Sequence, residues 1–401
     1  MMNLTKGYKK PSRGLAIVWS VLATLPYPGI TWHRMQFLAG LRRLGFDVWY
    51  VEAMDIEMLT PDKFWKCVTY EKNIEYLSRH MELLGMQDRW FFKTPWQNES
   101  TYGATDMKGL ERLYEQADIV INHTGAQVVD ERHDKIKCLV YLETDPVESQ
   151  IKVYNEDKST IEMLSKHQYH FTFGTNIGTY DFNIPVKYFN WIPILPAICV
   201  DWWSNNYKPA PPFKFSTVAT FKHQSKDATY NETPMRWSKH SQFEAFKSLP
   251  KMVNSNLELC LGGTRTSGEE VDKLVKHGWA IKNARELDDI FKYRKYITES
   301  SAEFTIAKEQ YVSPCSGWFS DRSATYLAAG RPVVTQSTGF ERTIPTGLGL
   351  FGFETREEAA CAIDEISSDY EKHSKAAREI AHEYFATEKV LSKILEKSGL
   401  S

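Results

Sequence analysis

The sequence is poor in cysteine and has no paired cysteine motif. Its six cysteines are scattered over 401 residues without a Cys-x-x-Cys pair, and most lie among apolar neighbours. This distribution is typical of buried, reduced thiols rather than of a disulfide framework. Neither the cysteines nor the histidines repeat the spacing of a metal-ligand set. We therefore expect a cytoplasmic protein that has no metal site.

Sequence motifs for two common nucleotide chemistries are also missing. There is no Gly-Lys-Ser/Thr phosphate loop, and no Gly-x-Gly-x-x-Gly follows the first predicted strand, which argues against nucleotide hydrolysis and NAD-dependent redox chemistry. The formal net charge is only −2, from 49 Lys and Arg against 51 Asp and Glu. That balance gives no overall basic field for nucleic acid or an anionic membrane, but it leaves open a local groove lined by Lys9, Lys10, Arg42 and Arg43.

No apolar stretch reaches the length of a transmembrane helix. Lys9, Lys10 and Arg13 precede an apolar run at 15–25, a layout that resembles a signal peptide. However, the Pro-Tyr-Pro-Gly at 26–29 is a poor cleavage site, and a helical pattern follows at once. The run therefore favours a buried first strand.

Aromatic residues are in excess, with 12 Trp, 20 Tyr and 21 Phe making up 13% of the chain. Such side chains fill cores and interfaces, and they also stack on sugars and nucleobases. Hydrophobic residues make up 42% and charged residues 25%, which fits a globular protein. The length predicts two or three domains.

Strand and helix patterns alternate in the first half of the chain. Apolar runs at 15–21 and 47–52 predict strands, and between them Met35, Leu38 and Leu41 share one face of a predicted helix at 31–44. The glycine that follows is suited to end that helix. Alternation of this kind predicts a parallel sheet covered on both faces.

The alternation breaks at 204–214, where three prolines occur within four residues, and then restarts. Proline fixes the backbone and cannot join a central strand, so this segment is predicted to be an interdomain linker. Beyond it, patterns at 215–221, 238–248 and 303–307 predict a strand, a helix and another strand. The chain is therefore expected to form two similar α/β units.

The most specific segment runs from Ser316 to Gln336 and begins with a glycine-containing loop. Gly317 allows a ligand to approach the backbone, and Ser320 is placed to cap a helix that starts at Asp321. The free amides and dipole of that helix start suit a phosphate, to which Arg322 can add a charged contact.

The Ala-Ala-Gly-Arg-Pro-Val-Val stretch at 328–334 resembles the donor-binding signature of GT-B glycosyltransferases. Residues 16–52 are similar to the opening unit of the acceptor domain in these enzymes, and the Thr-Gly-Phe at 338–340 is similar to a loop that reaches toward the donor sugar. The resemblance implies an α/β fold with two facing Rossmann-like domains, in which the second domain holds a nucleotide-sugar.

The same resemblance implies four segments. Residues 1–203 form the acceptor domain, 204–214 the linker, and 215–385 the nucleotide-sugar domain, while 386–401 form a helix that packs back on the first domain.

Candidate site residues lie in loops that follow strands, because ligands of open α/β sheets bind at the carboxyl ends of the strands. The predicted donor-binding set is Lys222, Lys226, Arg265, Lys308, Gly317, Trp318, Ser320, Asp321, Arg322 and Ser323. The candidate catalytic groups are His33, which can take a proton from an acceptor hydroxyl, and Asp145, a carboxylate in an Asp-Pro turn. The predicted acceptor-side residues are Trp32, Arg34 and His123.

The function expected from the resemblance is sugar transfer from a nucleotide diphosphate-sugar, such as a UDP-sugar, to an acceptor hydroxyl, without metal or cofactor. Many retaining GT-B enzymes carry two glutamates where this chain has Gly317 and Thr325, so retention and inversion both stay open. The acceptor alternatives are a small molecule, a glycan, a protein, or a hydroxymethylated base in phage-type DNA. A sugar-nucleotide epimerase and a non-catalytic nucleotide- or sugar-binding module are the other readings, and the oligomeric state is left open.

Overall fold

The computed structural model describes residues 2–61, 66–95, 100–220, 227–262 and 268–400. These residues form two large sheets that follow one another along the chain. Two similar α/β units were predicted from the alternation of patterns, and this prediction is confirmed.

The first sheet has eight strands in the spatial order β4-β3-β2-β1-β5-β6-β7-β8, all parallel except for the antiparallel pair β3–β4. Its strands are β1 (Leu15–Trp19), β2 (Asp47–Glu52), β3 (Trp90–Lys93), β4 (Thr101–Gly103), β5 (Ile119–His123), β6 (Leu139–Glu143), β7 (Tyr169–Thr172) and β8 (Trp191–Pro193). Its helices are α1 (Pro28–Leu44), α2 (Glu71–Leu83), α3 (Met107–Gln116), α4 (Glu148–Tyr154) and α5 (Lys158–Ser165). The predicted buried first strand is confirmed as β1.

The first long helix has clear start and stop signals. Pro28 occupies the first turn of α1, where the lack of an amide hydrogen has no cost. Gly45 ends α1 with φ of 97°, a left-handed conformation that glycine adopts without strain. Local signals of this kind explain why the predicted bounds of α1 lie within three residues of the observed ones.

The second sheet has six parallel strands in the order β13-β12-β9-β14-β15-β16, and a separate antiparallel hairpin contains β10 and β11. The strands are β9 (Lys214–Thr220), β10 (Ala228–Tyr230), β11 (Thr233–Met235), β12 (Asn256–Gly262), β13 (Ala280–Asn283), β14 (Ala302–Thr305), β15 (Val333–Gln336) and β16 (Leu350–Phe353). The helices are α6 (His240–Phe243), α7 (Gly268–Lys276), α8 (Ile290–Thr298), α9 (Glu309–Val312), α10 (Asp321–Ala328), α11 (Arg356–Ser368), α12 (Tyr370–Ile380) and α13 (Thr387–Lys397).

Two sequence-based expectations for the second half differ from the structure. The predicted helix at 238–248 is a single α-helical turn, α6, followed by the 3₁₀ turn Glu244–Phe246. The predicted linker reaches residue 214, but Lys214 already pairs with Asn256 as the first residue of β9.

The last helix of the chain packs on the first helix of the first half. Gly40 of α1 makes this approach possible, because a Cβ at that position would lie 2.1 Å from the Thr387 Oγ1 atom and 2.5 Å from Leu391 Cδ1. Arg43, one turn later, donates to Asp201 at 2.8 Å and to Glu388 at 3.3 Å. The division of the chain into four segments stays a prediction.

Most of the aromatic excess is used in packing. Trp19, Trp32, Trp202 and Trp203 are among the largest fully buried side chains. Trp32 lies between the halves of the chain, where its ring packs against Trp202 and Trp203, and its indole Nε1 donates to the carbonyl of Ile290 at 2.7 Å. The aromatic content therefore reflects core packing more than an exposed stacking surface.

Candidate active site

Each sheet reverses its strand order beside its central strand. The first sheet reverses between β1 and β5, and the second reverses between β9 and β14. Neighbouring crossovers at such a point leave the sheet in opposite directions, which opens a crevice at the carboxyl ends of the strands. A ligand of this fold is therefore expected near the residues that follow β5 and β14.

The loops after the strands bring the two halves together around Gly317. Gly174, after β7, forms an antiparallel bridge with Trp318, and the Thr175 hydroxyl donates to the Gly317 carbonyl at 3.0 Å. Gly317 has φ of +72°, and a Cβ there would lie 2.4 Å from Thr175 Oγ1. The sequence predicted that this glycine admits a ligand, whereas the neighbour that approaches it in the structure is the protein itself.

Asp145 and Lys308, both predicted site residues, meet across the two halves. Lys308 Nζ donates to Asp145 Oδ1 at 3.1 Å and to the Tyr311 hydroxyl at 3.0 Å, and Tyr311 donates to the same carboxylate. The Lys308 ammonium also lies 3.0 Å from the centre of the Trp237 ring. Burial, followed by the Asp145 charge, raises the pKa of Tyr311 well above its usual value. Tyr311 and Trp237 were not predicted.

Trp318 supports this group from the side. Its indole Nε1 donates to the carbonyl of Thr144 at 3.0 Å, and its ring stacks on Tyr311 with the ring centres 4.3 Å apart. Trp318 therefore joins the loop before α10 to the loop after β6.

Three predicted residues form a buried network at the first sheet. Arg34 Nη1 donates to His123 Nε2 at 2.9 Å and to His33 Nδ1 at 3.2 Å. His123 is the last residue of β5, and its side chain and those of His33 and Arg34 are buried. Burial, then the Arg34 charge, lowers the pKa of both histidines well below its usual value.

Asp321 links this network to the second half. Its Oδ2 atom lies 3.5 Å from His33 Nδ1, at the first residue of α10. Burial raises the pKa of the Asp321 carboxyl, while the charges of Arg322 and Arg34 oppose that rise. The two predicted residues His33 and Asp321 are thus neighbours across the two halves.

Arg322 is bonded inside the second half, which differs from the expected phosphate contact. Its Nε donates to Glu303 Oε1 at 2.6 Å, its Nη1 to the Val218 carbonyl at 2.8 Å, and its Nη2 to Thr305 Oγ1 at 2.9 Å. Glu303 is fully buried in β14, so the guanidinium is its counter-ion. Burial acts to lower the pKa of Arg322, but Glu303, together with Tyr293 and Tyr326, acts in the opposite direction, and the net pKa is raised.

The remaining predicted positions have mixed outcomes. Ser320 stands at the N-cap position of α10, but its side chain makes no capping hydrogen bond, and its backbone carbonyl accepts from Ala324 instead. Ser323 is fully buried inside α10, and Trp32 is buried between helices rather than placed on an acceptor surface. Lys222, Lys226 and Arg265 lie outside the described residues.

Two further ionisable residues at the strand ends were missed. Lys239 lies just before α6 and is buried, and its Nζ donates to the Ile306 carbonyl at 2.6 Å. Burial lowers the pKa of Lys239 well below its usual value, and the charges of Arg322 and Lys308 lower it further. Glu143 ends β6, and burial raises its pKa to about 7. A lysine at the start of a predicted helix and a glutamate at the end of a strand were the only sequence signals.

Within the described ranges, no three His, Cys, Asp or Glu side chains are grouped closely enough to hold a metal ion. No helix in the same ranges is both long enough and apolar enough to cross a bilayer.

No protein-family model matches the chain, and no curated protein matches it by sequence. Solved structures do match over nearly the full length. The Anabaena protein HepE in complex with UDP-glucose is 11% identical, with a TM-score of 0.57 over 96% of this chain and 99% of the other.

Two other solved structures give similar agreement. A glycosyltransferase from Rickettsia africae is 13% identical, with a TM-score of 0.51 over 98% of both chains. An alpha-glucosyltransferase in complex with UDP and a 13-mer DNA containing an HMU base is 11% identical, with a TM-score of 0.54 over 96% of this chain and 98% of the other. The strands of the two sheets are connected by helices, and their ends meet at Gly317 and Asp145. This arrangement and the structural matches show that the chain has the GT-B fold of nucleotide-sugar glycosyltransferases.

Proposed function

We propose that this protein is a glycosyltransferase that transfers a sugar from a nucleotide diphosphate-sugar to an acceptor hydroxyl between the two sheets. The observation that carries the proposal is a pair of lysines, Lys239 and Lys308, at the carboxyl end of the second sheet, opposite loops of the first. Two basic side chains beside the strand-order reversal suit a diphosphate. The Anabaena and Rickettsia proteins and the alpha-glucosyltransferase in complex with UDP and DNA are similar in fold, which is consistent with this proposal.

The leaving diphosphate gives these residues a defined task. Cleavage of the sugar–phosphate bond increases negative charge on the phosphate oxygens, and preorganised cations stabilise that charge. Lys308, Lys239 and the first amides of α10 are the groups proposed for this role. Lys239 is held in a site that disfavours its charged form, and a bound phosphate would restore that charge because an opposite charge stabilises the ammonium.

Asp145 is proposed as the group that accepts the acceptor's proton. Its side chain is 42% exposed, whereas that of His33 is only 7% exposed. His33 Nδ1 also receives a hydrogen bond from Arg34, so that nitrogen is already occupied. The cost of separating Asp145 from Lys308 is offset when the lysine gains a phosphate partner.

Calorimetric titration with UDP, GDP, ADP and dTDP tests the donor site. We expect binding of UDP, and a loss of roughly tenfold or more in affinity for Lys308→Met, since hydrogen bonds to charged groups contribute about 1.5–3 kcal/mol. Lys295→Met is the matched control, because Lys295 is largely exposed and pairs with Glu299 on the same surface. If the folded protein binds none of the four nucleotides, the proposal is wrong.

Incubation with UDP-sugars separates transfer from the other readings. Sugar transfer gives a glycosylated acceptor and free UDP, an epimerase gives a second UDP-sugar, and a binding module gives neither. Asp145→Asn is expected to lower turnover without weakening UDP binding, because the proton acceptor acts on the second substrate and its carboxylate competes with the diphosphate for Lys308.

The basic residues first considered for DNA lie away from this site. Lys9 donates its amide to the Arg42 carbonyl near the C-terminal end of α1, which is about 12 Å along the helix from Arg34 at 1.5 Å per residue. Arg42 donates to the carbonyls of Leu84 and Gly85, and Arg43 pairs with Asp201. These contacts favour a small-molecule or glycan acceptor over duplex DNA.

The DNA alternative is tested directly. Salt-sensitive binding of a duplex containing hydroxymethylated bases, with transfer of sugar to it, would support the DNA reading against ours.

A further inference from the structure

Arg34 stands between two histidines that act as hydrogen-bond acceptors. Its Nη1 donates at 2.9 Å to His123 Nε2 and at 3.2 Å to His33 Nδ1. An arginine side chain has only donors, so each of these histidine nitrogens must present its lone pair. The proton of each neutral ring is therefore on the other nitrogen, which is Nε2 in His33 and Nδ1 in His123.

Every hydrogen-bonding atom left over in this network is a donor. His33 Nε2, His123 Nδ1 and Arg34 Nε are buried and have no hydrogen-bond partner within the described ranges. Arg34 Nη2 also makes no hydrogen bond among the described residues. The network thus offers several unused N–H groups and no unused acceptor.

The positive charge of Arg34 also lacks a direct counter-ion. In the described part of the chain no carboxylate lies within ion-pair distance of its guanidinium, and the nearest approach of Asp321 to the network is the 3.5 Å contact with His33. A buried cation without a bonded anion is unfavourable in a folded protein. Arg43, on the same helix, shows the usual arrangement, because it forms ion pairs with Asp201 and Glu388.

We infer that Arg34, with its two flanking histidines, binds an anionic oxygen group, a phosphate or a carboxylate, of one of the two substrates. Only an acceptor-only, negatively charged group complements a donor-only, cationic network. The identity of the substrates rests on the proposed transfer reaction. The anionic group can belong to either the donor or the acceptor, because the network lies where the two halves meet. Arg34 is on α1 of the first half, and Asp321, beside His33, begins α10 of the second.

The test compares Arg34→Met with Arg42→Met by calorimetry. Arg42 is a matched control on the same helix, since in the described part of the chain its guanidinium donates to the carbonyls of Leu84 and Gly85 and covers the Tyr8 ring. Each charged probe is compared with a neutral one. UDP is compared with uridine, and glucose 6-phosphate and glucuronate are each compared with glucose. We expect Arg34→Met to bind a charged probe with an affinity roughly tenfold or more lower than that of the wild type. Its affinity for the matched neutral probe should equal that of the wild type.

Each arm of the experiment has a separate meaning. A loss confined to UDP assigns the group to the donor diphosphate, and a loss confined to the acidic sugars assigns it to the acceptor. If the wild-type protein binds an acidic sugar through Arg34 but no nucleotide, the inference holds and the proposed donor is wrong. If Arg34→Met binds all probes as the wild type does, or the wild type prefers no charged probe, the inference is overturned.

Arg34→Lys serves if the methionine variant does not fold. It keeps the charge in the buried site, but a lysine ammonium cannot reproduce the planar fork that bonds two imidazoles and an oxyanion together. We expect it to fold and to lose roughly tenfold affinity for the same charged probe. Unchanged affinity in the folded lysine variant would contradict the assignment.

Discussion

Replacing Arg322 is expected to destabilise the second half far more than it affects nucleotide binding. Its guanidinium lies 2.6 Å from the carboxylate of Glu303, which is fully buried in β14, and also bonds the Val218 carbonyl and Thr305. Arg322→Met leaves that carboxylate buried without its cation, which costs about 3–5 kcal/mol. For a cooperative unit of this size the melting temperature should fall by roughly 6–20 °C.

A second substitution isolates the ion pair. Arg322→Met with Glu303→Gln removes both charges, and replacing both partners of a buried pair is often close to neutral, so the double variant should regain about 2 kcal/mol or more. Urea denaturation of the wild type, both single variants and the double variant completes the cycle. Loss of UDP affinity in an Arg322→Met protein as stable as the wild type would refute this reasoning and restore the phosphate contact first expected from the sequence.

Three further outcomes follow from the same geometry. Burial raises the pKa of Glu143 from 4.5 to about 7, so the folded state binds that proton more tightly, and the free energy of unfolding should fall as pH rises from about 4.5 to 7. Urea denaturation over this pH range should show a loss of about 3 kcal/mol that Glu143→Gln abolishes. The same pH dependence of unfolding free energy in the wild type and in Glu143→Gln would contradict this prediction. Gly317→Ala should cost about 3 kcal/mol in urea denaturation, against about 1 for Gly178→Ala, which has a similar positive φ but nothing within 4 Å of the new Cβ; equal costs would mean that the interdomain contact is loose. In ¹⁵N-histidine NMR at pH 6, His33 should be neutral with its proton on Nε2 and His123 neutral with its proton on Nδ1, and an imidazolium signal from either ring would contradict the network.

The sequence was sufficient for the elements whose signals are local. β1 and β2 are continuous apolar runs because parallel strands are buried on both faces, and α1 has its proline, apolar stripe and terminal glycine within one segment. The short edge pair β3 and β4 was missed, since Trp90–Lys93 and Thr101–Gly103 are too short to show a period.

Partnerships at the site were beyond the reach of the sequence. Lys308 and Asp145 are 163 positions apart, and Arg322 and Glu303 are 19 apart on different elements. A charged residue in a loop or on a helix is usually solvated, so nothing local indicated that Arg322 is a counter-ion to a buried carboxylate. The positions of the candidate residues near strand ends were predictable from the fold, whereas the role of each depends on what it touches.

The distribution of bonded cations also changes what the near-neutral net charge means for the acceptor. Arg43 and Arg322 are paired with the carboxylates of Asp201 and Glu303, and Arg42 is held by backbone carbonyls, so none of the three is available to a ligand. Arg34 and Lys239 are buried beside the meeting point of the sheets with no carboxylate bonded to them among the described residues. A long groove that tracks DNA needs many cations along its length. Two basic side chains confined to one crevice therefore favour a substrate with one or two anionic groups over a polyanion.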